Sequence, residues 1–243
     1  MKTIFSKLSN QLLKAFYPSC PYCTSCGRIL LDDTHVICDK CAKIIFTQQK
    51  YTCKICGRSI KGGEVCNICY ENKYSYDRGI SLFVYDRHTA PIIYSIKYSN
   101  NIELAQRLGS LLYYDICRKS DILSYCDIIL PVPLHKERLE TRGYNQAEII
   151  ASALSEESGI RINSNVLIKT KATADQIGLK KSQREQNLKE SFDITDYSVV
   201  RNKNIMLTDD VLTTGATINA CSEALKKHGA NMVFFAVLAS KTY

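Results

Sequence analysis

The sequence predicts an α/β protein, a parallel sheet flanked by helices, with a small metal-held module in front of it. Three observations carry this. From about residue 79 onward, short apolar runs alternate with stretches of helical periodicity. One run, Ile205-Met206-Leu207-Thr208, leads into Asp209-Asp210 and then a turn of hydroxyls and glycine that opens a helix. Nine of the twelve cysteines fall between Cys20 and Cys69. The expected divisions are a short N-terminal helix over 1–19, a zinc-binding module over 20–78 and an α/β domain over 79–243.

At the N-terminus, Ile4, Phe5, Leu8, Leu12, Leu13 and Phe16 recur at helical spacing, so a short helix packed on the body is expected. Polar residues interrupt that run, unlike the core of a secretory signal peptide. No stretch reaches the roughly 18 apolar residues that span a bilayer, and a cytoplasmic protein is expected. The net charge of +8 is uneven. Residues 1–78 hold twelve Lys/Arg against six Asp/Glu, a surplus of +6, which suits a polyanionic partner as well as simple solubility.

Four C-x-x-C pairs organise the cysteine-rich part: Cys23/Cys26, Cys38/Cys41, Cys53/Cys56 and Cys66/Cys69. Two residues between thiolates let a tight turn aim both sulfurs at one tetrahedral ion, and two turns complete a shell. Zinc is the expected metal, in two structural sites. Cys23-Thr-Ser-Cys26-Gly27-Arg28 repeats as Cys53-Lys-Ile-Cys56-Gly57-Arg58 thirty residues on, which favours two successive sites. A cross-braced pairing meets the same ligand chemistry. Cys20 offers an alternative register and His35 an alternative ligand. So small a segment has little apolar core, so metal removal is expected to unfold it while leaving the following domain largely intact. Cys117, Cys126 and Cys221 stand alone and are expected to be buried thiols.

In the α/β part, Ile80–Tyr85 is predicted as a strand, followed by helices near 90–97 and 102–118. Asp127–Pro133 is a short buried strand that proline ends. A helix is expected over about 144–157, a strand over Val199–Thr208, a helix ending at Lys227 before Gly229, and a last strand over Met232–Ser240. Ligands of such sheets bind outside the strand carboxyl ends.

That is where Asp209 and Asp210 fall. The turn Thr213-Thr214-Gly215-Ala216-Thr217 then offers hydroxyls and amides at a helix N-terminus, where an anion is stabilised. There is no Gly-Lys-Ser/Thr of a Walker loop and no G-x-G-x-x-G of a dinucleotide fold. One phosphate beside one polyol, a sugar phosphate, suits the arrangement. A helix cap accounts for a threonine but not for two consecutive carboxylates. His135, Lys136, Arg138 and Arg142 add a basic loop after the proline-ended strand, or a solvated basic turn. The polar stretch 173–187 suits a loop over the site, or, taken alone, an ordinary surface loop.

The Ile205–Thr217 string resembles the signature of type I phosphoribosyltransferases, and the chain as a whole resembles the ComF competence-protein family. The resemblance rests on the C-x-x-C-G repeats, Pro131-Val-Pro-Leu, Arg142-Gly-Tyr-Asn-Gln146, Gln176 through Arg184 with Asn187, and Thr208–Thr217. It implies a zinc module joined to a phosphoribosyltransferase-like domain that binds phosphoribosyl pyrophosphate with Mg²⁺. Asp209 and Asp210 would hold the ribose hydroxyls, and Thr213, Thr214, Gly215, Ala216 and Thr217 the 5-phosphate. A pyrophosphate-facing loop is implied at Pro133, Leu134, His135 and Lys136. A flexible loop with Gln176, Arg184 and Asn187 is implied too, with Arg142 as a further basic residue.

Two functions follow from this. One is an accessory of natural transformation that binds phosphoribosyl pyrophosphate, single-stranded DNA and other DNA-uptake proteins. Its DNA contacts would come from the basic zinc module, with Tyr22, Phe46, Tyr51, Tyr70, Tyr74 and Tyr76 available for stacking or simply for packing. The other is an active phosphoribosyltransferase of nucleotide metabolism, a glycosyltransferase that displaces pyrophosphate with an acceptor the sequence does not reveal.

Overall fold

A computed structural model describes residues 22–30, 36–171, 188 and 190–242. The expected N-terminal helix, Cys20, His35 and the loop residues Gln176, Arg184 and Asn187 lie outside the described residues. In order, the elements are α1 (Asp39–Thr47), β1 (Tyr51–Thr52), β2 (Ser59–Ile60), α2 (Asn67–Glu71) and β3 (Arg78–Val84). Then come α3 (Ala90–Tyr98), α4 (Ile102–Lys119), α5 (Ile122–Tyr125), β4 (Ile128–Pro131), α6 (Lys136–Arg142) and α7 (Gln146–Ser158). The chain continues with β5 (Leu167–Lys169), β6 (Phe192–Ile194), α8 (Tyr197–Val200), β7 (Asn204–Leu212), α9 (Ala216–Lys227) and β8 (Met232–Ser240).

Four of these strands form the central sheet in the order β3-β8-β7-β4, every pair parallel. A strand alternates its side chains between faces, and β7 and β8 do so between two cores. Met206, Phe234, Ala236 and Leu238 pack with α3, α4 and α7. Ile205, Leu207, Val233, Phe235 and Val237 pack on the other face with α9. Helices on both faces explain why β8 reads as a continuous apolar run, since no residue of it meets water freely.

Two sequence expectations change here. Residues 197–200 form the short helix α8, capped by Asp196, so β7 begins at Asn204 rather than Val199. At its other end β7 runs four residues past Thr208, because β8 continues pairing with it to Leu212↔Ser240. Cys221 is buried, as expected, but Cys117 lies exposed on α4 and Cys126 is only half-buried. Single cysteines next to polar residues carry no periodic signal that fixes their face.

The zinc module is not a separate bead. Cys23, Leu30, Ile37, Cys41 and Ile45 belong to the apolar cluster of one sheet face, while Cys53, Cys56 and Cys69 belong to the other. Arg58 is 2% exposed and donates from Nη1 to the Lys241 carbonyl at 2.8 Å. The Gly79 amide donates to the Ile55 carbonyl at 2.7 Å, and the Ser25 hydroxyl to that of His88 at 2.8 Å. At Gly57 a Cβ would stand 2.6 Å from the Gly79 carbonyl oxygen, so the second cysteine turn lies directly on β3. The small apolar core of this segment suggests that the following domain stands largely without it; the packing instead joins the two through shared apolar clusters.

Candidate functional site

The eight paired cysteines gather as two sets: Cys23, Cys26, Cys38, Cys41 and Cys53, Cys56, Cys66, Cys69. This is the successive pairing, not the cross-braced one. Both copies of the repeat build the same turn. The amides of Cys23 and Cys53 donate to the carbonyls of Arg28 and Arg58, each at 2.8 Å, and the amides of Gly27 and Gly57 turn back to Cys23 and Cys53 at 2.8 and 2.9 Å. Gly27 and Gly57 take φ of 72° and 69°, the left-handed region that glycine enters without strain. The amides of Cys38 and Cys66 in turn point at the sulfurs of Cys23 and Cys53, at 3.3 and 3.4 Å. Such amide–sulfur bonds stabilise thiolate.

The donor set fits zinc by size. Four sulfurs about 2.3 Å from a tetrahedral ion stand roughly 3.8 Å apart. Cys26 and Cys38 Sγ are 3.9 Å apart, and Cys56 and Cys66 Sγ 3.6 Å. Thiol hydrogen bonds from Cys56 and Cys69 hold Cys53 far below the usual thiol range, while the same sharing pushes Cys69 well up. Zinc ligation needs all four sulfurs as thiolates, so binding releases the thiol protons. Four protein thiolates per ion leave no open position, so such a metal would serve structure.

At the carboxyl edge of the sheet, β4 stops pairing with β7 at Pro131↔Thr208, with one more bond from the Val132 amide to the Thr208 carbonyl. Among the described residues, β7 then runs on without a strand neighbour on that side. Thr208 is spent on the scaffold: its hydroxyl is buried and donates to the Ala147 carbonyl at 3.0 Å. Asp209 and Asp210 follow inside the strand, so alternation sends their carboxylates to opposite faces.

Asp210, nearly buried, meets Lys97 from α3, with Nζ 2.9 Å from Oδ1. Asp209 faces the other layer, where Lys169 at the end of β5 and Cys221 of α9 lie within its electrostatic reach. Its Oδ1 accepts the Asp210 amide at 2.8 Å. Burial and then the neighbouring Asp210 charge push the Asp209 carboxyl up to about 7, against the pull of that amide, Lys97 and Lys169. Burial, with the charge of Arg138, pushes the Lys169 ammonium down. Sequence reasoning missed both lysines. Lys97 sits one residue after Ile96 on the apolar side of α3, and a cation inside an apolar stripe was the available signal.

Beyond β7, Thr213 and Thr214 are exposed, and Gly215, at φ 91°, caps α9. The Thr214 hydroxyl accepts the Ala216 amide at 3.3 Å. First-turn amides of a helix have no intrahelical acceptor, so Thr217 and its neighbours face the turn. Tyr74 donates to the Thr214 carbonyl at 3.3 Å and stacks on Tyr76, whose ring meets Phe235 edge-on. Tyr74 and Tyr76 are thus packing residues that brace the turn. Tyr22, Tyr51 and Tyr70 stay exposed, and Phe46 is partly exposed against Phe83.

Pro133, Leu134 and His135 form the loop between β4 and α6, and Lys136 opens α6, beside the acidic pair because of the Pro131↔Thr208 register. The Arg142-Gly-Tyr-Asn-Gln146 string is largely a helix junction. Gly143, at φ 77°, ends α6, the Asn145 side chain caps α7, and Tyr144 donates to the Ile96 carbonyl. Arg142 Nη1 donates to Oε1 of buried Gln146 at 2.9 Å. What was expected to be a basic loop contains the seven-residue helix α6. β5 and β6 pair antiparallel and bracket the segment of the expected flexible loop.

The class these features define is a phosphoribosyltransferase-type domain carrying a double zinc ribbon. Residues 139–242 match the phosphoribosyl transferase domain family, and residues 12–70 match the double zinc ribbon domain. Competence protein F of Haemophilus influenzae is 30% identical over 218 residues, 87% of this chain and 93% of that protein. DNA utilization protein YhgH of Escherichia coli O6:H1 is 30% identical over 200 residues, 81% of this chain and 87% of that protein. Competence protein ComFC of Bacillus subtilis is 27% identical over 217 residues, 82% of each chain. The chain belongs to this family of competence protein F and its relatives. Among the described residues, no helix is long and apolar enough to cross a membrane.

Proposed function

We propose that this protein binds phosphoribosyl pyrophosphate with Mg²⁺ at the β7–α9 turn and serves the uptake of single-stranded DNA from the cytoplasmic side. The carrying observation is the acidic pair beside the open first turn of α9, a carboxylate surface for hydroxyls next to an amide surface for phosphate. Asp209 and Asp210 would accept the ribose hydroxyls. Thr213, Thr214, Gly215, Ala216 and Thr217 would wrap the 5-phosphate, and the Pro133–Lys136 loop would face the pyrophosphate. Mg²⁺ bound to the pyrophosphate would neutralise its charge, while the two zinc ions hold the ribbon. The names of the relatives, competence and DNA utilization, support the DNA-uptake setting.

Calorimetric titration with phosphoribosyl pyrophosphate and Mg²⁺ tests the reading, with Asp209→Asn/Asp210→Asn as the control. Binding by wild type that the double change weakens at least tenfold is the expected result. Absence of binding by the zinc-loaded wild type overturns it. Pyrophosphate release in the same samples, with and without bases or single-stranded DNA, tells a turnover enzyme from a binding module.

A further inference from the structure

Beside the acidic pair, on the α3 side of the sheet, lies a cavity of about 390 Å³ that the β7–α9 turn does not line. Its wall is Lys97, Tyr98, Arg138, Thr141, Arg142 and Tyr144, together with Asn100. Three cations face it, and among the described residues no carboxylate lines it. Lys97 is held toward Asp210, whereas Arg138 and Arg142 have no carboxylate partner among the described residues. The nearby acids on α6 turn elsewhere: Glu137 to His135 at 3.6 Å and Glu140 to Lys136 at 3.9 Å.

The site is built rather than incidental. Arg142 is fixed on one side by buried Gln146 and lies over the Tyr98 ring, 5.2 Å from its centroid. Tyr98 in turn packs with Tyr94 one helical turn earlier, with ring centroids 4.9 Å apart, yet both rings are about 60% exposed. Tyr144 is tied to α3 through the Ile96 carbonyl. Two exposed rings, of which Tyr98 lines the cavity, beside the fixed Arg142 guanidinium and Arg138 match the chemistry of a base and a phosphate carried by one ligand.

We propose that this cavity binds a phosphorylated nucleoside, with the base against Tyr98 and Tyr94 and the phosphate on Arg138, Arg142 and Lys97. The zinc module is then not the sole place for nucleic-acid contacts. Such a ligand comes either as a free nucleotide or as one unit of a single strand. The inference stands on the cavity's own residues and does not need the β7–α9 turn to hold phosphoribosyl pyrophosphate.

Fluorescence anisotropy of the full-length, zinc-loaded chain with a labelled twelve-residue oligothymidylate tests it, against an abasic strand with the same phosphates. Binding to oligothymidylate is expected, at least tenfold tighter than to the abasic strand. Tyr94→Ala/Tyr98→Ala should lose roughly tenfold or more, and Tyr98→Phe should keep wild-type affinity. Arg138→Gln/Arg142→Gln should flatten the slope of log affinity against log salt by about 1.4, near 0.7 for each lost contact. Displacement by thymidine monophosphate identifies a site that takes free nucleotides. Its failure to displace identifies a strand, and either outcome supports the proposal. A photocrosslink from a 5-iodouracil strand gives a readout that needs no variant, with adducts expected on Tyr94 or Tyr98. Equal affinity for the abasic strand, unchanged affinity in the tyrosine double variant, or adducts confined to Tyr22, Tyr51 and Tyr70 would overturn the proposal. So would no binding of either strand or of the monophosphate. Phosphoribosyl pyrophosphate binding by the same samples reports separately on the other site.

Discussion

Replacing Asp209 by Asn should stabilise the unliganded protein at neutral pH, and the amount should depend on pH in a defined direction. The Asp209 carboxyl moves from 3.8 to about 7 on folding, mainly through burial and then the charge of Asp210. A raised carboxyl binds its proton more tightly in the folded state. Its stabilising contribution is therefore complete below about 3.8 and is lost as pH rises towards 7. One unit is worth about 1.4 kcal/mol, so wild type should lose on the order of 2–3 kcal/mol relative to Asp209→Asn between pH 5 and pH 8. Urea unfolding of both proteins, zinc-saturated and followed by circular dichroism, measures this. The thiolate and histidine titrations shared by both proteins cancel in the difference. A difference constant to within about 0.5 kcal/mol across that range refutes the reasoning, as does an Asn variant that is the less stable at pH 8. The physical content is that the acidic pair is an unfavourable arrangement, kept without a ligand only because the fold imposes it.

Three further outcomes are expected. Lys97→Met leaves the Asp210 carboxylate nearly buried without its cation, at a cost of about 2 kcal/mol, less than for a fully buried pair because Lys97 is partly exposed; thermal unfolding measures it. Gly57→Ala should be far more damaging than Gly27→Ala, although the repeat makes the two positions equivalent and both have positive φ. A Cβ at Gly57 meets β3 backbone at 2.6 Å, while one at Gly27 meets nothing within 4 Å, so only the backbone strain of about 1–2 kcal/mol remains there. Removal of metal by a chelator should lower the melting temperature of the α/β domain as well as unfold the ribbon, since cysteines of both clusters lie in its two apolar cores; an α/β transition unchanged after complete metal loss, followed by circular dichroism and limited proteolysis, would contradict this.

Much of the sheet was legible because its signals are local. Apolar runs bounded by turn residues mark β3, β4 and β8, and α3, α4, α7 and α9 follow from spacing and from Gly229 as a stop. The paired cysteines were legible for the same reason, since C-x-x-C spacing already contains the turn. Residues 136–142 were not legible, because α6 buries none of its side chains and so leaves no apolar stripe. β5 and β6 have three residues each, are held by pairing across a long interval, and left no signal of their own.

The sequence by itself determined the class of the fold, the four paired cysteine turns and the acidic pair ahead of a helix N-terminus, while the structure grouped those turns into two successive sets. Each is written in residues that are neighbours along the chain or repeat at short intervals. Only the tertiary structure decided that β7 continues through Asp209 and Asp210 and so directs them to opposite faces. It alone brought Lys97 and Lys169 to them from different layers, and set the ribbon against β3 so that both cores include its cysteines. Those facts depend on contacts between residues tens to hundreds of positions apart, and long-range packing leaves no period in the sequence to read.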